Sequence, residues 1–226
     1  LDFFVCKNIQ KYDETSVPIP KSNSQAYAAY NEIKRRILAG MFTSSDRLRE
    51  VEVADMLEMG RTPVREALKR IQDEGLITHE PGRGLVVTTM DQQEVGELYS
   101  MREVLEGAAA AFAARHATPA DVANMQAILD EGDGGDPVAQ NLRFHEAIYS
   151  AAHNRYLIRS LQSLTETTYL LGRSTLSSPD RASRSNQEHQ AIVDAIRARD
   201  EQGAQHAAQH HIHQALLERL KMLRQG

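Results

Sequence analysis

Residues 59–84 read MGRTPVREALKRIQDEGLITHEPGRG, and the hydrophobic period changes inside that stretch. Val64, Leu68 and Ile71 recur at spacings of four and three, which puts them on one side of a helix. Thr62 is the expected N-cap, Pro63 suits a first helical position, and Gly75 is the expected stop. Beyond it, Leu76-Ile77-Thr78 and Leu85-Val86-Val87 are short β-prone runs. Pro81, Gly82 and Gly84 mark the turn of a hairpin between them.

Two more helices are expected upstream. Tyr27, Tyr30, Ile33, Ile37 and Leu38 share a helical face between a capping Ser24 and Gly40. EVEVADMLEM then sets Val51, Ala54 and Leu57 on one side of a short second helix. Three helices followed by a hairpin within residues 24–90 make a winged helix-turn-helix. Residues 1–23 lack a clear period, contain Pro18 and Pro20, and read as an irregular arm.

Residues 91–226 read as helical throughout. One helix is expected over 92–115, with Val95, Leu98, Met101, Leu105, Ala108 and Ala109 facing inward. Thr118-Pro119 starts another, GDGGDP (132–137) breaks the chain, and a further helix covers 138–151. His153-Asn154 precedes a helix to about Leu171. SSPDRASRS (177–185) reads as a polar loop, and helices follow over 186–198 and 201–223. The expected fold is mostly α: an N-terminal winged helix-turn-helix joined to a C-terminal all-helical bundle.

The chain has 226 residues, 41% hydrophobic and 25% charged, which suits two soluble domains. No apolar run approaches the roughly 20 residues of a membrane helix. The start, LDFFVCKNIQKYDE, lacks the pattern of a signal peptide, and Cys6 is the lone cysteine. The expectation is a cytoplasmic protein that does not engage a membrane. The sequence starts at Leu1 rather than Met, which leaves room for residues before it.

Net charge is −5, but its distribution matters more than its sum. Residues 24–90 hold ten basic and ten acidic side chains, whereas residues 91–226 hold thirteen and eighteen. Broad DNA binding by the C-terminal part is therefore not expected. Arg61, Arg65 and Lys69 repeat at spacings of four, opposite the apolar stripe, with Arg70 beside them. Such a face either enters the major groove, where arginine pairs with guanine, or is a solvated surface with Arg65 paired to Glu58 or Glu66. Arg83 sits between two glycines at the hairpin tip, within reach of a minor groove or phosphate.

The histidines sort by period. His145 falls with Leu142, Ile148 and Tyr149; His189 with Ile192 and Val193; His211 with Ala207, Ala208 and Ala215. These three face inward from three helices, either as hydrogen-bonded core residues or as ligands converging on Zn or Ni. His206, His210 and His213 share a polar face with Gln209 and Gln214.

The segment from Tyr30 to Val87, with RTPVREAL (61–68), EGLI (74–77) and PGRG (81–84), resembles the DNA-binding domain of the GntR family of bacterial regulators. The resemblance implies DNA contacts by Arg61, Thr62 and Arg65, with Gly84 as the wing glycine. The family's usual Leu-Gly-Val-Ser is replaced by Leu57-Glu58-Met59-Gly60, and Arg49 lies near the basic residue often found at the start of the second helix. MREVLEGAAAAFAAR (101–115), NLRFHEAIYSAAHN (141–154) and EHQAIVDAIRARDEQGAQHAAQHH (188–211) resemble the all-helical FCD effector domain of the FadR-type branch.

Metal-binding members of that branch carry an aspartate four residues before the first histidine. The implied ligands are His145, His189 and His211, with Asn141 at the aspartate position. By the same resemblance Arg102 contacts an effector carboxylate, the alternative being a salt bridge with Glu103 or Glu106. Tyr149, Asn154 and Tyr169 are candidate pocket residues. The implied protein is no enzyme. It is a homodimeric repressor of double-stranded operator DNA, controlled by a small organic acid at a divalent transition-metal site. The alternatives are a DNA-binding protein with a degenerate effector domain, and a metal-dependent hydrolase.

Overall fold

The computed structural model describes residues 21–131 and 136–225. Helix α1 spans Lys21–Leu38, α2 Glu50–Met56 and α3 Arg61–Asp73. Strands β1 (Ile77–Glu80) and β2 (Gly84–Val87) follow. Ile33, Ile37, Val53, Ala54, Val64, Leu68, Ile71, Leu76, Ile77 and Val87 are the buried stripes of these elements and close one core. The strands pair antiparallel, Ile77 opposite Val87 and Glu80 opposite Gly84. Gly82 and Gly84 adopt φ of 77° and 86°, a region closed to most side chains, so the tight wing turn needs them. The Leu48 N–H adds a bond to the Leu85 carbonyl at 2.8 Å, tying the loop before α2 to the wing.

Three local expectations need correction. Helix α1 already includes Lys21–Asn23, so it does not start at a Ser24 cap, and residues 1–20 of the expected arm lie outside the described residues. Gly60, not Thr62, is the N-cap of α3, with no side-chain cap bond. Thr62 and Pro63 are then the second and third helical residues. Pro is tolerated there because first-turn N–H groups have no intrahelical acceptor. The turn between α2 and α3 holds Glu58 at φ 53°, a left-handed conformation without a glycine.

In the second set of elements, α4 spans Gln92–His116, α5 Pro119–Leu129, α6 Pro137–Ala151, α7 Arg155–Tyr169, α8 Pro179–Arg197 and α9 Glu201–Gln225. Their starts are chemically marked. Asp91 with Glu94 and Thr118 with Asp121 form reciprocal capping boxes, and Asp136 accepts the Val138 N–H. Ala109, Ala110, Ala113, Phe144, Ile148, Leu161, Ile192, Val193, Ile196, Ala204 and Ala208 form the core. Small residues let α4 and α9 approach closely; a Cβ on Gly107 would meet Gln209 Cγ at 2.9 Å. No helix among the described residues is long and apolar enough to cross a membrane.

The chain folds as two compact units. Of the described residues, one unit takes those up to Thr89 together with Glu166–Gly172, and the other takes those of Met90–Thr165 and those from Arg173 onward. Two expectations for the second unit fail. The polar stretch 177–185 is helical from Pro179, and Arg181 and Ser185 are buried. Proline at the helix start and an ion pair for Arg181 permit what composition argued against. Met101 is 46% exposed, not inward, because Leu98 and Leu105 lie two turns apart and the stripe between them passes it by.

Candidate functional site

On α3 the apolar stripe Val64, Ala67, Leu68 and Ile71 is buried, which forces Arg61, Thr62, Arg65 and Lys69 outward together. Arg65 does not pair with Glu58 or Glu66. Its Nε and Nη2 each reach Glu50 of α2 at 2.9 Å, and that bond holds the exposed Glu50 carboxyl below its usual range. Arg49, at the N-cap of α2, pairs with Glu52 at 2.7 Å. Arg70 turns away from the outer face: its guanidinium lies 3.8 Å over the Tyr30 ring and reaches Glu74 at 3.4 Å. Arg83 is tethered at the wing, to Glu80 at 2.8 Å and to the Ser44 carbonyl at 2.7 Å, next to Gly84.

The second constellation lies in the C-terminal unit. His145 on α6, His189 on α8 and His211 on α9 are all buried, and their ligand nitrogens lie within 4.8 Å of one another. The Nε2 atoms of His145 and His189 each stand 3.3 Å from His211 Nε2. Both neighbouring nitrogens are oriented from behind. His145 Nδ1 meets Glu106 Oε2 at 2.8 Å, and His211 Nδ1 meets Glu188 Oε2 at 2.7 Å. A carboxylate accepting the Nδ1–H leaves the Nε2 lone pair pointing at the cluster. Two such lone pairs 3.3 Å apart repel unless a positive charge lies between them.

That donor set suits a tetrahedral transition metal. Metal–nitrogen bonds of about 2.0–2.1 Å at tetrahedral angles set nitrogens about 3.3 Å apart. Burial, then the neighbouring histidines, hold the His189 and His211 imidazoles well below their ordinary pKa, in the neutral form that a metal requires. Asn141 is half-buried, one turn before His145 on α6. Its amide oxygen is a neutral donor, better matched to hard cations than to Zn.

Arginines balance both carboxylates. Arg102 donates to Glu106 at 2.7 Å, and Arg181 donates twice to Glu188, at 3.1 and 2.9 Å. Burial opposes ionisation of Glu106, yet His145 and Arg102 outweigh it and hold the carboxyl well below the usual range. Burial raises the Glu188 carboxyl against the pull of Arg181. Tyr149 is buried and hydrogen-bonded to Glu106, and burial raises its hydroxyl well above the ordinary value.

Of the expected pocket residues, Arg102 and Tyr149 therefore meet at Glu106, behind His145. Asn154 does not join them; its Oδ1 accepts the N–H groups of Tyr156 and Leu157 and caps α7. Tyr169 packs against the core of the N-terminal unit instead. Glu106, Glu188 and Arg181 were not expected at the cluster. The i,i+4 spacing of Arg102 and Glu106 was the one available signal, since it puts a charged pair on a helix with an apolar face.

A sequence model described as bacterial regulatory proteins of the gntR family matches residues 25–87, and one described as the FCD domain matches residues 97–214. The chain is 31% identical over 188 residues to the "Probable D-xylose utilization operon transcriptional repressor" of Paenarthrobacter nicotinovorans, covering 80% of this chain and 82% of the relative. It is 25% identical over 193 residues to the HTH-type transcriptional regulator YdhC of Bacillus subtilis, covering 81% and 86% respectively. Among solved structures, E. coli McbR/YncC superposes with a TM-score of 0.71 at 23% identity, covering 88% of this chain and 98% of that one, a likeness of fold.

Proposed function

Since the chain belongs to the GntR family of bacterial transcription regulators and carries an FCD-type effector domain, we propose that it is a metal-assisted sensor of a small carboxylate and represses transcription from a DNA operator. As in its relatives, the role is regulation rather than catalysis. Arg61 and Arg65 read base edges. Thr62 and the α3 N-terminus meet phosphate, while Lys69, Arg83 and Arg49 add sequence-independent affinity. Gly84 keeps the wing turn tight enough for Arg83 to approach the duplex. Arg70 contributes through the field of its charge, because its side chain is committed to Tyr30 and Glu74. A homodimer presents two such helices to half-sites about 34–36 Å apart.

The observation that carries the sensor reading is the convergence of three buried imidazole nitrogens, two of them at 3.3 Å from the third. His145, His189 and His211 hold a divalent transition metal, Zn or Ni by donor type. When bound, the metal supplies a coordination position for a carboxylate. Glu106 and Glu188 orient two of the three imidazoles, and Arg102 and Arg181 cancel those carboxylate charges. With Asn141 in place of an acid, the cluster adds no negative charge, so a dication keeps its attraction for an anion.

The test uses purified full-length chain. Metal content is measured, an operator is selected from random duplexes, and operator affinity is titrated with small organic acids before and after chelator treatment. The reading expects about one metal per chain and an acid-dependent loss of DNA affinity that the chelator abolishes. Metal-free protein that still responds to the same acid equally would sink the metal's role. Failure to select any duplex would sink the operator reading.

A further inference from the structure

The C-terminal unit has a cavity of about 190 Å³ between the first half of α8 and the last turns of α9; none of the three clustered histidines lines it. Arg181, Arg184, Lys221 and Arg224 face it, against Glu188 and Glu218. We propose that this cavity binds a small dianion, a phosphate ester or a dicarboxylate, and that Arg181 and Glu188 couple its occupancy to the histidine cluster.

The basic excess is two charges, which a dianion neutralises. The volume corresponds to about six waters, at about 30 Å³ each. Depth and mouth have different roles. Arg181 is 2% exposed. Its two Nη atoms are spent on Glu188, whereas its buried Nε–H has no acceptor. Such a donor is rarely left unpaired in a folded protein. At the mouth, Arg184 and Lys221 share Glu218 at 3.7 and 3.3 Å, both longer than a tight charge-assisted bond. More than half of each side chain is exposed, so each is free to turn toward an anion.

The coupling runs through one atom. Glu188 Oε2 accepts from Arg181 Nη2 at 2.9 Å and from His211 Nδ1 at 2.7 Å. An anion that draws Arg181 toward the cavity weakens the first bond and strengthens the second, which makes His211 Nε2 a better donor to a metal. Linkage makes the effect mutual. Only this coupling rests on the histidines being metal ligands; the anion site does not.

The experiment uses the full chain stripped of metal by a chelator, so that no anion can bind through a metal. Inorganic phosphate and succinate are titrated separately into the parent and into an Arg184→Gln/Lys221→Gln variant, whose altered residues are exposed and outside the histidine relay. At least one probe is expected to bind the parent, and the variant to bind it about ten-fold or more weakly. Preference for phosphate identifies the phosphate ester, and preference for succinate the dicarboxylate. Equal binding by parent and variant, or no binding of either probe at ~10 mM, overturns the site. For the coupling, Zn affinity is measured by chelator competition with and without the tighter probe. A gain of about three-fold or more in the parent that vanishes in the variant supports it. A gain that persists in the variant, or no gain, overturns it.

Discussion

His211 and Glu188 meet at 2.7 Å, and Arg181 holds the same carboxylate from its other side. The order arginine, glutamate, histidine recurs at Arg102, Glu106 and His145. Each relay fixes one imidazole by its Nδ1 edge, and the two Nε2 atoms come to 3.3 Å. Four charges lie at this site in two pairs, with Glu106 and Arg181 buried and Arg102 and Glu188 partly so. Their arrangement is expected to matter more for metal affinity than for packing.

Glu188→Gln and Glu106→Gln each keep the shape of the relay but replace the anionic acceptor with a neutral amide. Metal affinity is expected to fall about 10- to 100-fold in each. Competition with a chromophoric chelator, on protein shown to be folded by circular dichroism, measures it. Unchanged affinity in both variants would mean that the carboxylates serve only to neutralise the arginines.

The pH dependence follows from the direction of the histidine shifts. Burial, then neighbouring charge, lowers His189 and His211 well below the ordinary imidazole value. The unfolded chain therefore takes up protons at these two positions first as pH falls below about 6.5, while His189 and His211 stay neutral in the fold. Stability of the metal-free protein is expected to decline through that window, until the folded histidines themselves protonate. Urea midpoints measured at about pH 7.5 and about pH 5.5, for the parent and for His189→Gln, check this. The variant loses one of the two contributions, so its midpoint falls less between the two conditions. An equal fall would place the pH sensitivity elsewhere.

Much of this site was legible from period alone. His145, His189 and His211 each carry apolar residues three or four positions away, and the fold brings them together. Their partners were not legible. Glu188 adjoins His189 in sequence and points away from it, as helix geometry requires. That geometry does not reveal that it points at a histidine of another helix. The stretch 177–185 looked like a loop because composition counts Arg181 as polar, whereas in the fold its charge is cancelled by Glu188 seven residues on. In the N-terminal unit the turn residues marked α3 and the hairpin well. The exception was the cap, where Gly60 supplies backbone alone and Thr62 is left on the outer face.

The Arg65–Glu50 pair sets the expectation for DNA. Both side chains are solvated, so the pair is weak and an incoming base or phosphate displaces it. Glu50→Gln is expected to tighten binding to all duplexes, because it removes a competing acceptor and a negative charge. Arg65→Ala is expected to lower specific affinity and relax base preference, by about 1–3 kcal/mol at one position. Lys69→Ala should weaken operator and scrambled duplex alike and reduce the salt slope by about one. Fluorescence anisotropy titrations at two or more salt concentrations separate these cases. An Arg65→Ala loss of equal size on both duplexes would make Arg65 a phosphate contact.

Glu58 holds the turn between α2 and α3 at φ 53°, where an L side chain crowds the following carbonyl. The left-handed region costs a non-glycine residue about 1–2 kcal/mol. Glycine removes that cost but adds about 0.5–1 kcal/mol of unfolded-state entropy. Glu58→Gly is therefore expected to stabilise the chain by up to about 1 kcal/mol. Glu58→Val, β-branched in the same conformation, is expected to destabilise it. Urea denaturation of the three proteins reads both changes. Because the turn sets the angle at which α3 leaves α2, the valine variant should also lose operator affinity, while the glycine variant retains it. A glycine variant no more stable than the parent would show that Glu58 makes contacts worth as much as the strain that it bears.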